Sequence, residues 1–399
     1  MGTLSACLIV RNEENTLERC LKSLYGEVDE IVVVDTGSTD STINIAKKFN
    51  AKIVKFEWND NFSEARNISL NNTECDWIIF LDADEELVNS ESKKLKTILN
   101  KSRFDAYNIR IVNLLGNIST KNETSIGKSI RIFRNKPNYR FSGAIHEQIM
   151  NSLLTDNAKI SDLDAYQIKH YGYLKENRIN KKKFERNVSL LQKEINRCPK
   201  DSFHLFNMGM EYYASENYKE AIKYFKRSYE NSNSKKNFYP RMIRNYIYSL
   251  KEVGNFNIAI KIYDREIKKF EDYTDLWYIG AIIYFSKKQY DKAIHNLEKC
   301  LSLGDCYKYE SNIGLGSFKA LNFLGKLYMN KRDYENAVKY FKRGTILYPE
   351  ILNNFTELSK IYLQSKDYKN AYQLLCIGKE YHNELNEICM RIENILKKK

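Results

Sequence analysis

Asp82 and Asp84 follow directly on an unbroken apolar run, Trp77-Ile78-Ile79-Phe80-Leu81, and are followed by Glu85 and Glu86. Side chains two apart on an extended chain point the same way. The two carboxylates can therefore converge on one hard cation, Mg²⁺ or Mn²⁺, shared with the phosphates of a nucleotide. An isolated Asp-x-Asp is more often a solvated turn. The preceding run distinguishes this one, because five apolar residues in a row suit a central parallel strand covered on both faces. Ligands of open α/β sheets bind just beyond the carboxyl ends of such strands.

The elements that must position this turn can be read upstream. Leu4 to Val10 is apolar, Arg11-Asn12-Glu13-Glu14-Asn15 interrupts it, and Leu17, Cys20, Leu21 and Leu24 follow at helical spacing. Ile31 to Val34 forms a second buried strand, and Asp35-Thr36-Gly37-Ser38-Thr39-Asp40-Ser41-Thr42 turns the chain and caps a helix carrying Ile43, Ile45, Ala46 and Phe49. A third strand spans Ala51 to Phe56, and a helix over Phe62 to Leu70 contains Ala65-Arg66-Asn67. This alternation predicts an α/β domain with a largely parallel sheet. Further on, the pattern predicts a helix over 92–99, a strand over 105–115, a mobile polar loop over 116–128 beside the acceptor, and short strands at 130–133 and 139–141.

Four segments in register, Val10-Arg11-Asn12-Glu13-Glu14, Val34-Asp35-Thr36-Gly37-Ser38-Thr39-Asp40, Ala65-Arg66-Asn67 and Asp82-Ala83-Asp84-Glu85, resemble the family 2 inverting glycosyltransferases of the GT-A fold. The resemblance covers roughly residues 1–175 and implies a nucleotide-diphospho-sugar transferase with a Rossmann-like, mostly parallel sheet. It implies that Asp35 meets the nucleotide base, where a carboxylate can accept the N3–H of uracil. Arg66, with Asn67, would lie near the base and diphosphate, Asp82 would meet the ribose or the metal's water, and Asp84 the metal. Gly143, in Phe141-Ser142-Gly143-Ala144-Ile145-His146-Glu147, matches a small loop ahead of the general base, which makes Glu147 the base. His170, in His170-Tyr171-Gly172-Tyr173, would complete a metal site with Asp82 and Asp84. His146 is a rival base, since imidazole is the commonest one near neutral pH. On an extended segment only one of the two neighbours can face a substrate. For Asp35 the competing reading is a helix cap, and for Arg66 a surface helix residue.

From Arg178 onward the periodicity is purely helical. A connecting helix is expected over 176–199, then a repeat region over 200–399. Its marker alanines, Ala221, Ala259, Ala293, Ala337 and Ala371, stand 38, 34, 44 and 34 residues apart. That is the tetratricopeptide period, about five repeats forming an all-α solenoid, with small residues letting paired helices approach and Tyr and Phe filling the space between.

Charge is divided unevenly. Residues 1–174 hold 22 Lys+Arg against 24 Asp+Glu, a net of −2, leaving 42 and 27 for the remainder, so the helical half carries an excess of +15. Scattered lysines of this kind mainly keep helices soluble, and no nucleic-acid partner is inferred. The eight cysteines form no Cys-x-x-Cys pair and read as reduced core residues. With no apolar run of 18 residues and no leader, the expectation is a cytoplasmic protein without an integral membrane segment.

The fusion of such a domain to tetratricopeptide repeats is similar to the bacterial enzymes that glycosylate cysteine or serine of glycocin bacteriocins. It implies a hexose moved with inversion from a UDP-sugar, with Mn²⁺ or Mg²⁺, to a Cys or Ser side chain of a peptide held by the repeats. A cell-envelope glycan or lipid-linked acceptor is the alternative. A nucleotide-sugar-binding scaffold without turnover is the non-enzymatic one. Pairing as a homodimer stays open.

Overall fold

The computed structural model describes residues 2–91, 94–115, 124–172 and 181–397, which form two compact units divided between Tyr239 and Pro240. In the first, β1 (Leu4–Val10), β2 (Glu30–Asp35), β3 (Lys52–Lys55) and β4 (Trp77–Phe80) alternate with α1 (Leu17–Ser23), α2 (Thr42–Lys48) and α3 (Phe62–Asn71). Then come β5 (Glu85–Asn89), α4 (Leu95–Asn100), β6 (Ala106–Leu114), β7 (Thr124–Arg134), α5 (Met150–Thr155) and β8 (Ile160–His170). These strands pair in the order β3-β2-β1-β4-β7-β6-β8-β5.

The sheet is mixed. β1 runs parallel to β2 and β4, and β2 to β3, as the alternation predicts. β7 then pairs antiparallel with both β6, its sequential neighbour joined without a crossover helix, and β4. β8 is parallel to β6 and antiparallel to β5. Residues 124–128, expected in a loop, belong to β7, and the rest of that loop, 116–123, lies outside the described residues. Residues 139–141 form no strand; an isolated bridge between Ser142 and Gln148 follows them instead.

β4 shows why its sequence is apolar throughout. Trp77, Ile79 and Leu81 pack with Leu17, Leu21, Ala46 and Leu95 in one core, whereas Ile78 and Phe80 pack with Leu70, Phe133, Tyr139, Phe141 and Leu153 in the other. Each such side chain is worth about 1.5–3 kcal/mol on burial. The first polar side chain the strand can release is therefore the one beyond its end.

The first unit continues into α6 (Lys181–Arg197), α7 (Ser202–Ala214) and α8 (Tyr218–Glu230). Residues 173–180, including Tyr173 and the start of the connecting helix, lie outside the described residues. The second unit holds α9 (Tyr239–Glu252), α10 (Phe256–Glu266), α11 (Thr274–Ser286), α12 (Tyr290–Leu303), β9 (Ser311–Asn312), α13 (Phe318–Asn330), α14 (Tyr334–Leu347), α15 (Leu352–Gln364), α16 (Tyr368–Gly378) and α17 (Asn386–Lys397).

One local device recurs through both units. The second helix of each pair opens with an aromatic residue after a polar N-cap: Asn217-Tyr218, Asn255-Phe256, Gln289-Tyr290, Asp333-Tyr334 and Asp367-Tyr368. The cap side chains of Asn217, Asp333 and Asp367 accept from backbone N–H groups three residues on. Before each cap stands a left-handed residue, Glu216, Gly254, Lys288, Arg332 or Lys366, with φ between 57° and 78°. For the four non-glycine residues this costs about 1–2 kcal/mol, which the repeated tight turn and its packing offset. Each marker alanine then lies one turn into the helix and is fully buried. At Gly209 and Gly325 an added Cβ would collide with the rings of Phe225 and Phe341, so helix spacing inside those repeats is set by glycine against phenylalanine.

Among the described residues no helix is long and apolar enough to cross a membrane. The eight cysteines are free thiols.

Candidate active site

The turn after β4 is fixed by its own backbone and by Glu85. Asp82 O accepts from Glu85 N at 3.0 Å, and Asp82 N donates to Glu85 Oε2 at 2.9 Å. Asp82 and Asp84 emerge from this turn into a region closed on one side by α3. Asn61 caps α3 by accepting from Glu64 N, which sets the helix so that Arg66 faces inward.

Arg66 joins two of the expected site residues. Its Nη2 lies 2.7 Å from Asp82 Oδ1, and its Nε donates to Glu147 Oε1. The guanidinium is buried, 4.9 Å from the centre of the Phe80 ring and 5.6 Å from that of Phe141. It is no surface residue but the cation between two carboxylates. Burial opposes its charge, yet Asp82 and Glu147 push its pKa further up. Burial alone would likewise raise the Asp82 carboxyl, but Arg66 first and Arg131 next hold it well below the usual carboxylate range.

Asp84 has a different partner. Its Oδ2 lies 3.4 Å from Nε2 of His170, whose Nδ1 is 3.0 Å from Asn113 Oδ1. Because Asn113 Nδ2 in turn donates to Ser125 Oγ, the amide is oriented with its oxygen toward the ring. His170 thus donates from Nδ1 and presents Nε2 toward Asp84, the arrangement by which a second neighbour orients a ligating histidine. Burial disfavours the imidazolium, but the Asp84 carboxylate outweighs it and raises the His170 pKa. Gly172 closes over this pair: a Cβ there would run into Asp84 Oδ2 and His170 Nε2.

Among the described residues no group of three His, Cys, Asp or Glu side chains is arranged to hold a metal ion. The expected trio of Asp82, Asp84 and His170 is therefore a pair, because Arg66 draws Asp82 away. A carboxylate and an oriented imidazole, facing each other in a cradle that tolerates only glycine, still fit a divalent ion completed by substrate phosphate oxygens and water.

The segment carrying Glu147 is clamped from both sides. Asn67 accepts from Phe141 N at 2.8 Å and donates to Phe141 O at 3.0 Å, so its amide is spent on positioning the segment instead of on a donor sugar. Ser142 and Gln148 exchange backbone hydrogen bonds, and Phe62 N donates to Ala144 O. Gly143 has φ of 99°, and His146, despite its Cβ, has φ of 52°. The segment is a tight loop and not an extended strand. The loop nevertheless sends the two neighbours apart: Glu147 turns to Arg66, whereas His146 Nε2 lies 3.8 Å from Glu211 on α7. Ile145, just before them, is buried among Leu190, Leu191, Ile195, Leu205 and Met208 of α6 and α7.

Asp35 ends β2 beside Val10 and is buried, its Oδ1 accepting from Ser38 N at 2.9 Å. The loops after β1 and β2 are laced together: Asn12 accepts from Thr39 N, Glu13 N donates to Thr42 Oγ1, Glu14 N to Asp40 Oδ2, and Ser41 N to Glu14 Oε2. Much of what makes those two motifs recognisable is mutual capping.

Two parts of the chain match known families. Residues 5–146 match glycosyl transferase family 2, and residues 205–234, 274–303 and 318–350 match the tetratricopeptide repeat. The chain joins a family 2 glycosyltransferase domain to tetratricopeptide repeats. It is similar to a TPR repeat-containing protein of Synechococcus elongatus, with 28% identity over 79% of this chain and 73% of that one. It is similar also to the glycosyltransferase SunS of Bacillus subtilis, with 29% identity over 57% of this chain and 54% of SunS, so it spans about half of that relative's length. An uncharacterised glycosyltransferase of Rickettsia typhi shows 28% identity over 46% of this chain and 65% of its own.

Four residues of the glycosyltransferase unit that shape the site escaped the sequence reading. Asn113 and Glu211 have no motif around them, and only their three-dimensional neighbours reveal them. Glu85 stood inside the recognised motif without a role, yet it is fully buried and bound to Arg131, with Arg131 Nη2 at 2.6 Å from Glu85 Oε1. A charged residue inside the otherwise apolar Ile130–Phe133 strand was the available signal for Arg131.

Proposed function

We propose that this transferase moves a hexose, with inversion, from a UDP-sugar to the side chain of a cysteine or serine in a peptide acceptor held by the helical repeats. The observation that carries this reading is the Arg66 fork, which sets the Glu147 carboxylate next to the Asp82-Ala83-Asp84 turn at the carboxyl end of β4. The donor lies along that strand end, with its base toward Asp35 and its diphosphate toward the turn. A divalent ion, Mn²⁺ or Mg²⁺, held by Asp84 and His170 would supply charge neutralisation for the departing diphosphate.

The chain's own groups perform the rest. Glu147 takes the proton from the acceptor as its sulfur or oxygen attacks the anomeric carbon, from the face opposite the nucleotide. Arg66 fixes the direction of that carboxylate and ties it to the donor side through Asp82. A single displacement follows, with no covalent intermediate on the enzyme. A thiol, with an ordinary pKa near 8.5, asks less of its base than an alcohol does, which favours cysteine over serine. His146 faces α7 and forms part of the acceptor-side wall. Tetratricopeptide arrays grip extended peptides, and this supports a polypeptide acceptor.

The test is purified protein with Mn²⁺ or Mg²⁺, a panel of nucleotide sugars, and cysteine- and serine-containing peptides read by mass spectrometry. A hexose mass gain on a peptide establishes the reading and names the linkage residue. Donor hydrolysis without peptide modification moves the acceptor to a glycan or lipid, and the absence of both refutes the transfer.

A further inference from the structure

Arg131 occupies an irregularity in the β6–β7 ladder. Tyr107 pairs with Ile132 and Asn108 with Ile130, so Arg131 is the extra residue between them. Such bulges re-aim a side chain and recur beside active sites. Here the guanidinium is buried against the Phe80 ring, with Cζ 4.8 Å from its centre, and pairs with Glu85. Its Nε and Nη1 have no hydrogen-bond partner among the described residues. A buried ion pair with donors left over is a poor means of stabilising a core, because apolar replacement of such pairs is often neutral or better.

Glu85 gives the pair a purpose. One of its oxygens receives Arg131, and the other receives the backbone N–H of Asp82. Glu85 also lies directly opposite His170 in the β5–β8 ladder. One carboxylate therefore touches the turn that carries Asp82 and Asp84 and shares a register position with the strand end that carries His170. Arg66, by contrast, reaches the same turn from α3 and binds the Asp82 side chain.

We propose that Arg131 is a positioning residue of the glycosyltransferase: through Glu85 it fixes the Asp82-Ala83-Asp84 turn relative to His170, and so the place where the donor diphosphate and its cation are held. This rests on the reading of that turn as the diphosphate site. With Arg131 gone, Glu85 loses the partner that orients it, and the Asp82 N–H loses a fixed acceptor.

The experiment is calorimetric binding of UDP with Mn²⁺ to the full chain, alongside thermal unfolding, for wild type, R131M, R131K, E85Q and the double variant E85Q/R131M. Loss of an outer partner of this kind costs about 10–100-fold in metal-dependent affinity. R131M and E85Q are expected to fall in that range, and the double variant to be no weaker than either single one, as coupled partners require. R131K recovers part of the loss, since an ammonium meets one oxygen without the planar fork. Unchanged UDP–Mn²⁺ affinity in R131M, with only a lower melting temperature, overturns the proposal, as do losses that add in the double variant. If R131M does not fold, the double variant, which buries no unpaired charge, decides the matter: weakened binding supports the proposal and wild-type binding overturns it. A wild-type chain that binds no nucleoside diphosphate refutes the donor-site reading and the proposal with it, whereas equal binding by wild type and variants refutes the proposal alone.

Discussion

Replacing Arg66 by methionine tests the centre of the site. The Arg66–Glu147 arm is nearly dry, with 8% and 12% of the two side chains exposed. Removing one partner of such a pair costs about 3–5 kcal/mol, because the other charge is left buried. The Asp82 arm is worth much less, since 40% of that side chain meets solvent and exposed pairs contribute about 0–1 kcal/mol. Methionine keeps apolar contact with Phe80 and Phe141. The net expectation is about 4 kcal/mol at neutral pH, against a typical total of about 5–15 kcal/mol. The variant should fold with much reduced stability. The pH dependence has a definite sign. Asp82 is held below its unfolded pKa of about 3.9, so its stabilisation is fully present above that value and is lost as pH falls through the folded pKa. Arg66→Met lacks this contribution at every pH, so its deficit against wild type should be largest at neutral pH and should narrow below about pH 4. Urea unfolding in a Trp277→Phe background reports this, because the remaining tryptophans, Trp58 and Trp77, lie in the glycosyltransferase unit. The narrowing amounts to no more than about 1 kcal/mol, the worth of the Asp82 arm, and a deficit under about 1 kcal/mol at neutral pH refutes the claim that the fork is a buried charge bridge.

Three further substitutions separate the roles of neighbouring residues. Glu147→Gln should leave UDP binding within a few-fold and lower the turnover number by about 10²–10⁴, the usual contribution of a positioned base; if His146→Gln does this instead, the base is His146. Gly172→Ala places a methyl against Asp84 and His170, and should abolish Mn²⁺-dependent UDP binding while the melting temperature moves little; normal binding would show that the cradle is not a cation site. Ile145→Ala should cost about 2–5 kcal/mol in urea unfolding and lower turnover as well, because Ile145 anchors the Glu147 loop; a stability loss with unchanged turnover would uncouple the two.

The parts legible in the sequence are those written in local periodicity. Trp77 to Leu81 reads as a doubly covered strand because each residue must be apolar for the two cores that share it. The repeats read from alanine spacing because every marker alanine is fully buried one turn into its helix, where only a small side chain recurs. Arg66, Asp82 and Glu147 are each legible, but as separate contacts to a donor and an acceptor. Their union is set by the approach of α3 to a loop eighty residues downstream, which no local pattern encodes. The same holds for the antiparallel turn of the sheet at β7. Glu85 and Arg131 illustrate the remaining gap: a carboxylate beside a recognised motif looks like more of the motif until its buried partner is seen.

Ile145 also bears on where the catalytic unit ends. The loop that carries Glu147 has few contacts of its own, so its shape depends on what surrounds it: α3 through Asn67 and Phe62 on one side, and the apolar cluster of α6 and α7 on the other. His146 extends that second contact toward Glu211, whose carboxyl is raised by burial despite Asn187 donating to it at 2.9 Å. On the proposal that Glu147 is the base, this helix pair packs on the loop that places it. Within the first unit, α6 and α7 therefore pack directly against the loop that carries Glu147. The contact is one of packing: next to the left-handed turn at His146, Ile145 finds its apolar seat among side chains of α6 and α7.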